Sequence, residues 1–372
     1  ANSMYAQSFE WISSTEGNTW QKSKAKLQTN AAQTPILDVS GSEEGTVFKA
    51  WGTCFNELGW DALNMLPRKE QETILHKLFS PEGELRFTMG RFSMNANDYA
   101  RDWYSCDEVP GDFQLKYFNI NRDKTTLIPF IKAAQQYNPN MTFWMSPWSP
   151  PSWMKINHYY SVRSDRNQNQ MSPLSDVALF EGSKEKNTKV FPQQLAVNDY
   201  FIQDPRYLQT YANYFCKFID AYKQQGIAIS MVMFQNESWS YTNYPGCAWT
   251  AEGIIRFNTE YLAPTLKKQH PEIKLYLGTI NTNRYDVIDQ VLSDPRMPET
   301  IQGVSFQWEG GQILPKLRAK YPQYKYVQTE SECGWGSFDW KAAEHTFGLM
   351  NHYLGNGCEE YTFWNAILYD GG

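Results

Sequence analysis

From Phe48 onward the chain alternates short apolar or β-branched runs with longer amphipathic stretches, and this alternation constrains the fold more than any other feature. The runs are Phe48–Phe55, Leu85–Arg91, Met141–Ser146, Ile229–Gln235, Lys274–Thr279, Gly303–Gln307, Tyr324–Glu330 and Tyr361–Trp364. Helix-like stretches lie between them at Gln71–Phe79, Lys124–Tyr137, Tyr207–Gln225, Ala251–Gln269 and Trp340–Leu354. In Tyr207–Gln225 the residues Leu208, Tyr211, Phe215, Phe218 and Tyr222 recur at spacings of three and four, one face of a helix. Eight strands with intervening helices predict an α/β fold of the (β/α)8 TIM-barrel type over residues 48–372. A doubly wound sheet would announce itself by a Gly-rich phosphate loop after its first strand. Here that strand runs into Trp51-Gly52-Thr53-Cys54-Phe55-Asn56-Glu57, which has no such spacing of glycines. Residues 1–47 are polar and irregular, with short β-like pieces at Phe9–Ser13 and Ile36–Val39, and predict a separate N-terminal β segment.

Composition narrows the function classes. With 34 Lys and Arg against 40 Asp and Glu the formal charge is −6, which disfavours a nucleic-acid binder, a class that normally shows a basic face. No apolar run approaches the roughly 18 residues that a membrane span needs. An apolar content of 41% with 14 Trp, 23 Tyr and 21 Phe favours a packed core over disorder. The N-terminus has no basic patch followed by an apolar stretch, so no signal peptide is visible, as in a mature, already processed chain. The six cysteines, Cys54, Cys106, Cys216, Cys247, Cys333 and Cys358, show no CxxC and no His at metal-ligand spacing, so no metal site is expected. Most are expected to be buried small hydrophobes, with one or two disulfides compatible with an exported chain.

In a barrel the chemistry gathers at the C-terminal ends of the strands. The run beginning at Ile229 finishes in Gln235-Asn236-Glu237, and the run beginning at Tyr324 reaches Gln328-Thr329-Glu330-Ser331-Glu332. With a side-chain period of two, Gln328 and Glu330 share one face, and Glu332 has the same parity, so periodicity does not choose between the two glutamates. Two carboxylates on two strand ends are what a glycosidase needs: one protonates the leaving oxygen, the other attacks or activates water. Aromatics crowd the same ends: Trp144, Trp148 and Trp153, then Trp239, Tyr241 and Tyr244, then Trp308, Trp335 and Trp364. Any one of them is by default a core residue. Their clustering at strand ends points to a cleft in which sugar rings stack on flat aromatic faces.

Taken together, Gly90–Tyr99, Ser146–Lys155, Phe234–Glu237, Gln328–Ser331 and Phe363–Asn365, in this order, resemble family 30 of the glycoside hydrolases, most closely its glucosylceramidase and β-1,6-glucanase branch. The resemblance spans about residues 48–372 and implies a retaining β-glycosidase without metal or organic cofactor. By position it implies Glu237 as acid/base and Glu330 as nucleophile. Asn236 would bond the sugar 2-hydroxyl, Arg91 would hold the nucleophile ionised, and Asp98 would take hydroxyls on the far side of the ring. Trp148 and Trp364 would wall the pocket, and Gln307 joins the substrate-binding set. The carboxyls of such a pair are expected about 5–5.5 Å apart, and 8 Å or more would exclude retention.

The sequence departs from the family at two places. Glucosylceramidases have His and then Tyr at the sixth strand end, where this chain has Gln307 and Glu309. An added carboxylate there would raise the nucleophile's pKa unless compensated, which favours a soluble β-glucan over a lipid substrate. The polar stretch Ser161–Asp199 favours it too, and breakdown of such a polymer implies export to the cell surface, periplasm or medium. Family members also carry a β-sandwich side domain whose later strands follow strand eight, whereas this chain stops at Tyr369-Asp370-Gly371-Gly372. The expectation is an N-terminal segment lacking its partner strands. The rivals are a glucosylceramidase, a xylanase, or a binding protein that keeps the cleft without catalysis.

Overall fold

The computed structural model describes residues 9–25, 45–162, 199–240, 242, 244–331 and 337–368. Strands β1 (Phe9–Thr15) and β2 (Asn18–Ala25) pair antiparallel in a sheet of their own. The eight remaining strands are β3 (Ala50–Phe55), β4 (Met89–Met94), β5 (Thr142–Pro147), β6 (Ile229–Met233), β7 (Lys274–Ile280), β8 (Gly303–Gln307), β9 (Lys325–Glu330) and β10 (Glu360–Asn365). They form one parallel sheet in the order β10-β3-β4-β5-β6-β7-β8-β9. The last seam is closed by single bonds: Glu359 N donates to Tyr326 O at 2.8 Å and Trp364 N to Ser331 O at 3.0 Å. Between them the Gln328 side chain takes the place of a backbone acceptor and receives Thr362 N at 2.6 Å. This is the expected (β/α)8 barrel.

All eight expected strands form, with one shifted along the chain. The second strand runs Met89–Met94, not Leu85–Arg91. Leu85 N and Phe87 N instead bond back to Lys77 O and Leu78 O, tying that stretch to the preceding helix. Strand pairing begins at Met89, and the next residue, Gly90, lacking a Cβ, lets the sheet close on Phe55 and Phe143; a Cβ there would sit 2.5 Å from one ring and 2.9 Å from the other. The helix Pro205–Gln224 buries the whole expected stripe of Leu208, Tyr211, Phe215, Phe218 and Tyr222. Asp204 caps its start through Arg206 N, with Pro205 at the first helical position. The β-like piece Ile36–Val39 and most of the Ser161–Asp199 stretch lie outside the described residues.

Two apolar layers result. Met89, Trp144, Met231, Met233, Tyr276 and Val327 come from five strands and fill the barrel interior. The alternate positions, such as Phe92, Phe143, Val232, Phe306 and Tyr326, pack outward with the helices. The described cysteines, Cys54, Cys106, Cys216, Cys247 and Cys358, are free and buried among these layers, while Cys333 lies outside the described residues. No helix among the described residues is long and apolar enough to cross a membrane.

Candidate active site

The floor of the site is the buried guanidinium of Arg91 on β4. Its Nη1 donates to Glu330 Oε2 at 2.6 Å and to Thr329 O at 3.1 Å; its Nη2 donates to Asn236 Oδ1 at 2.6 Å and Ser146 Oγ at 3.1 Å. Three indoles surround it: the guanidinium carbon lies 4.4 Å from the Trp148 ring centroid, 4.9 Å from Trp144 and 5.7 Å from Trp364. A rigid planar fork with that many fixed partners positions two strand ends relative to each other, which a lysine would not do.

Glu330 reaches the interior by a break in the strand rhythm. Tyr326 packs in the outer layer and Val327 in the inner one, so strict alternation would aim Glu330 outward with Tyr326. The ladder between β8 and β9 slips after Phe306↔Gln328, and Gln307 next pairs with Glu330. This bulge turns the carboxylate into the barrel. Glu330 therefore does not follow the period-two face expected from the sequence, and Glu332 lies outside the described residues. Glu237 is turned in by another device: it sits past the end of β6 with φ at 48°, the left-handed region that bulky residues rarely occupy. Asn236 N bonds Pro147 O at 2.7 Å and Glu237 N bonds Thr279 Oγ1 at 3.1 Å, which hold that turn in place.

Gln307 joins the two carboxylates. Its Nε2 donates to Glu237 Oε1 and to Glu330 Oε2, each at 3.1 Å. Oxygens that share one nitrogen at this distance are separated by less than about 6.2 Å, and an amide whose two hydrogens diverge by about 120° sets them roughly 5.4 Å apart. Glu330 Oε1 accepts the Trp308 indole N–H at 2.9 Å. Glu237 Oε2 accepts Ser240 Oγ at 3.0 Å and the Tyr244 hydroxyl at 3.2 Å. Burial, and then the Glu330 charge, push the Glu237 carboxyl up to about 7, against the pull of the bonds from Gln307, Ser240 and Tyr244.

The remaining expected residues sort less simply. Asn236 commits Oδ1 to Arg91, to Thr279 Oγ1 at 3.1 Å and to Gln307 at 3.3 Å, so its Nδ2 is the group left for a substrate hydroxyl. Asp98 keeps one enclosed oxygen, Oδ1, without a hydrogen-bond partner among the described residues, and burial followed by the charges of Glu330 and Glu237 raises its carboxyl to about 8. Gln307 is wholly occupied by protein groups, which makes it a bridge between the carboxylates rather than a substrate contact. Trp148 is 2% exposed and packs on Arg91 and on Trp364, with ring centroids 5.5 Å apart. It supports a wall that the half-buried Trp364 presents. The aromatic residues at the strand ends divide in the same way: Trp144, Trp148, Trp153 and Trp239 are core residues, and among the described tryptophans of that group only Trp308 and Trp364 are open. Tyr241 and Trp335 lie outside the described residues. Glu309 is half-buried and lines a cavity of about 200 Å³ with Glu330 and Trp308, but the bonded neighbour of both carboxylates is Gln307. Ser146, Ser240 and Thr279 are further polar residues of the site. Ser146 and Thr279 carried the signal of a polar residue at a strand end, whereas Ser240 carried none.

Known proteins are similar to this chain in sequence and fold. The model of the glycosyl hydrolase family 30 TIM-barrel domain matches residues 48–169 and 199–367. The putative glucosylceramidase 4 of Caenorhabditis elegans is 26% identical over 379 residues, covering 96% of this chain and 66% of its own length. Endo-1,6-beta-D-glucanase neg1 of Aspergillus fumigatus is 24% identical over 255 residues, covering 68% of this chain and 47% of its own. The solved structure of the endo-beta1,6-glucanase BT3312 has the same fold, with a TM-score of 0.72 at 19% identity, covering 94% of this chain and 72% of that one. This chain thus spans two thirds or less of the curated relatives it matches. The family match takes in every strand of the barrel and both carboxylate-bearing strand ends, and the chain belongs to glycosyl hydrolase family 30.

Proposed function

We propose that the protein is a retaining β-glycosidase that acts on β-glucosidic linkages, with Glu237 as acid/base, Glu330 as nucleophile and linear β-1,6-glucan as substrate. The observation that carries this reading is the shared Gln307 nitrogen, which holds the two carboxylates at the short spacing of double displacement. Inverting chemistry requires about 6.5–9.5 Å, room for a water molecule between them. Glu237, raised by burial, holds its proton near neutral pH and delivers it to the glycosidic oxygen. Glu330, paired with Arg91, attacks the anomeric carbon. Water then enters on the same face, gives its proton to Glu237, and releases sugar with net retention. Asn236 Nδ2 meets the 2-hydroxyl, Asp98 meets hydroxyls opposite, and Trp364 covers the ring face. Such a polymer is degraded outside the cytoplasm, so export is part of the proposal.

Glucosylceramide is the second reading. It is favoured by the similarity to the putative glucosylceramidase 4 of Caenorhabditis elegans over 96% of this chain. A proton NMR time course on β-1,6-linked gluco-oligosaccharides tests the proposal. Early β-anomer with internal cuts is expected, whereas early α-anomer overturns retention. Inert β-1,6-glucan with turnover of glucosylceramide selects the second reading. If neither is cleaved and wild type and Glu330→Gln bind glycan equally, the chain is a binding protein.

A further inference from the structure

We infer that Trp308 is a catalytic residue of the second half-reaction, its indole N–H stabilising the Glu330 carboxylate as the glycosyl–enzyme bond breaks. This inference rests on Glu330 being the nucleophile. The two oxygens of Glu330 are not equivalent. Oε2 accepts both Arg91 Nη1 at 2.6 Å and Gln307 Nε2 at 3.1 Å, which occupies its two in-plane lone pairs. Among the described residues Oε1 accepts Trp308 Nε1 alone, at 2.9 Å, and keeps one lone pair for the anomeric carbon. Oε1 is therefore the atom that attacks. In the first step the C1–Oε1 bond forms, the bond from C1 to the leaving oxygen breaks, and the Glu237 proton goes to that oxygen. Oε2 becomes the ester carbonyl, still held by Arg91 and Gln307, while the now uncharged Oε1 is a weaker acceptor for the indole.

In the second step the water oxygen bonds to C1, its proton goes to Glu237, and the C1–Oε1 pair returns to Oε1. Negative charge then develops at an atom toward which an N–H is already aimed. Because this bond strengthens only as the intermediate decomposes, it favours the second step over the first. The backbone is built to hold the indole there. Trp308 has φ at 49°, a strained conformation for a bulky residue. Its carbonyl accepts the Tyr353 hydroxyl at 3.3 Å, and the turn packs so closely that a Cβ at Gly310 would lie 2.0 Å from Ile280 O. Trp308 is 37% exposed, so replacing it leaves the core intact.

The test compares wild type with Trp308→Phe on an aryl β-glucoside whose sugar is a β-1,6-linked gluco-oligosaccharide, with a phenolate leaving group good enough that decomposition of the intermediate limits kcat. The variant should lose roughly tenfold in kcat, the size of one charge-assisted hydrogen bond. KM should fall in parallel, leaving kcat/KM within about twofold. Intact-mass measurement on quenched, saturated enzyme should show more chain carrying one covalent glycosyl group in the variant, and added methanol should raise its kcat. A parallel loss of kcat and kcat/KM with no accumulated intermediate would overturn the inference, as would an unchanged kcat. Absence of glucoside turnover by wild type would instead overturn the underlying assignment of function, and the inference with it.

Discussion

The hydroxyl of Thr329 lies 3.0 Å from Oε1 of Gln307, and the opposite end of that amide faces three acceptors: Glu237, Glu330 and Asn236. Thr329 thereby holds the amide nitrogen toward the carboxylates, and the residue before the nucleophile sets the spacing between nucleophile and acid. Thr329→Val keeps the shape and removes the hydroxyl. We expect kcat to fall roughly tenfold with a melting temperature within a few degrees of wild type. Gln307→Leu should cost more, since it removes the bridge itself. Steady-state kinetics on the two variants checks the order.

The raised carboxyl groups set the pH response. Glu237 must carry a proton to act as acid, so kcat/KM should fall as pH rises through about 7. Glu330→Gln removes the like charge beside it and should lower the Glu237 pKa, which is readable by NMR of labelled glutamate carboxyls.

The same shifts act on stability. For a carboxyl whose folded pKa lies above its unfolded one, the native state binds more protons in the window between, so its contribution is full at low pH and is lost as pH rises. With Glu237 near 7 and Asp98 near 8, the melting temperature should decline between about pH 5 and about 8. Asp98→Asn should flatten that decline. A flat profile in wild type would contradict the burial of both groups.

Arg91→Lys should behave as a severe change. It keeps the charge but loses the planar fork that reaches Glu330, Thr329, Asn236 and Ser146 at once. We expect kcat to fall at least about a hundredfold, two broken charge-assisted contacts at roughly tenfold each. Calorimetry should also show destabilisation, because a buried carboxylate is left poorly paired.

Trp148 and Trp364 should separate cleanly. Trp148→Ala empties a buried site against the Arg91 guanidinium and should cost about 3–5 kcal/mol in chemical denaturation. Trp364→Ala, at a half-buried position, should cost less stability and act mainly on KM for glucan.

The sequence by itself determined the number, type and order of the barrel elements. Alternating apolar runs and helical stripes are local properties, so eight strands, the Leu208–Tyr222 face and the two glutamates beyond strand ends were all legible along the chain. The motifs around Arg91, Glu237 and Glu330 made the family legible too. What tertiary structure decided is which way those residues point and which neighbours they meet. The bulge at the β8–β9 seam overrides the period-two face of Glu330, because ladder slip depends on the partner strand. The change of Trp148 from pocket wall to buried support follows from the cation beneath it, which comes from another strand. The bridging place of Gln307 and the indole bond of Trp308 arise from strand ends that are neighbours only once the sheet has curled. Such contacts join residues far apart in sequence, so no local pattern records them.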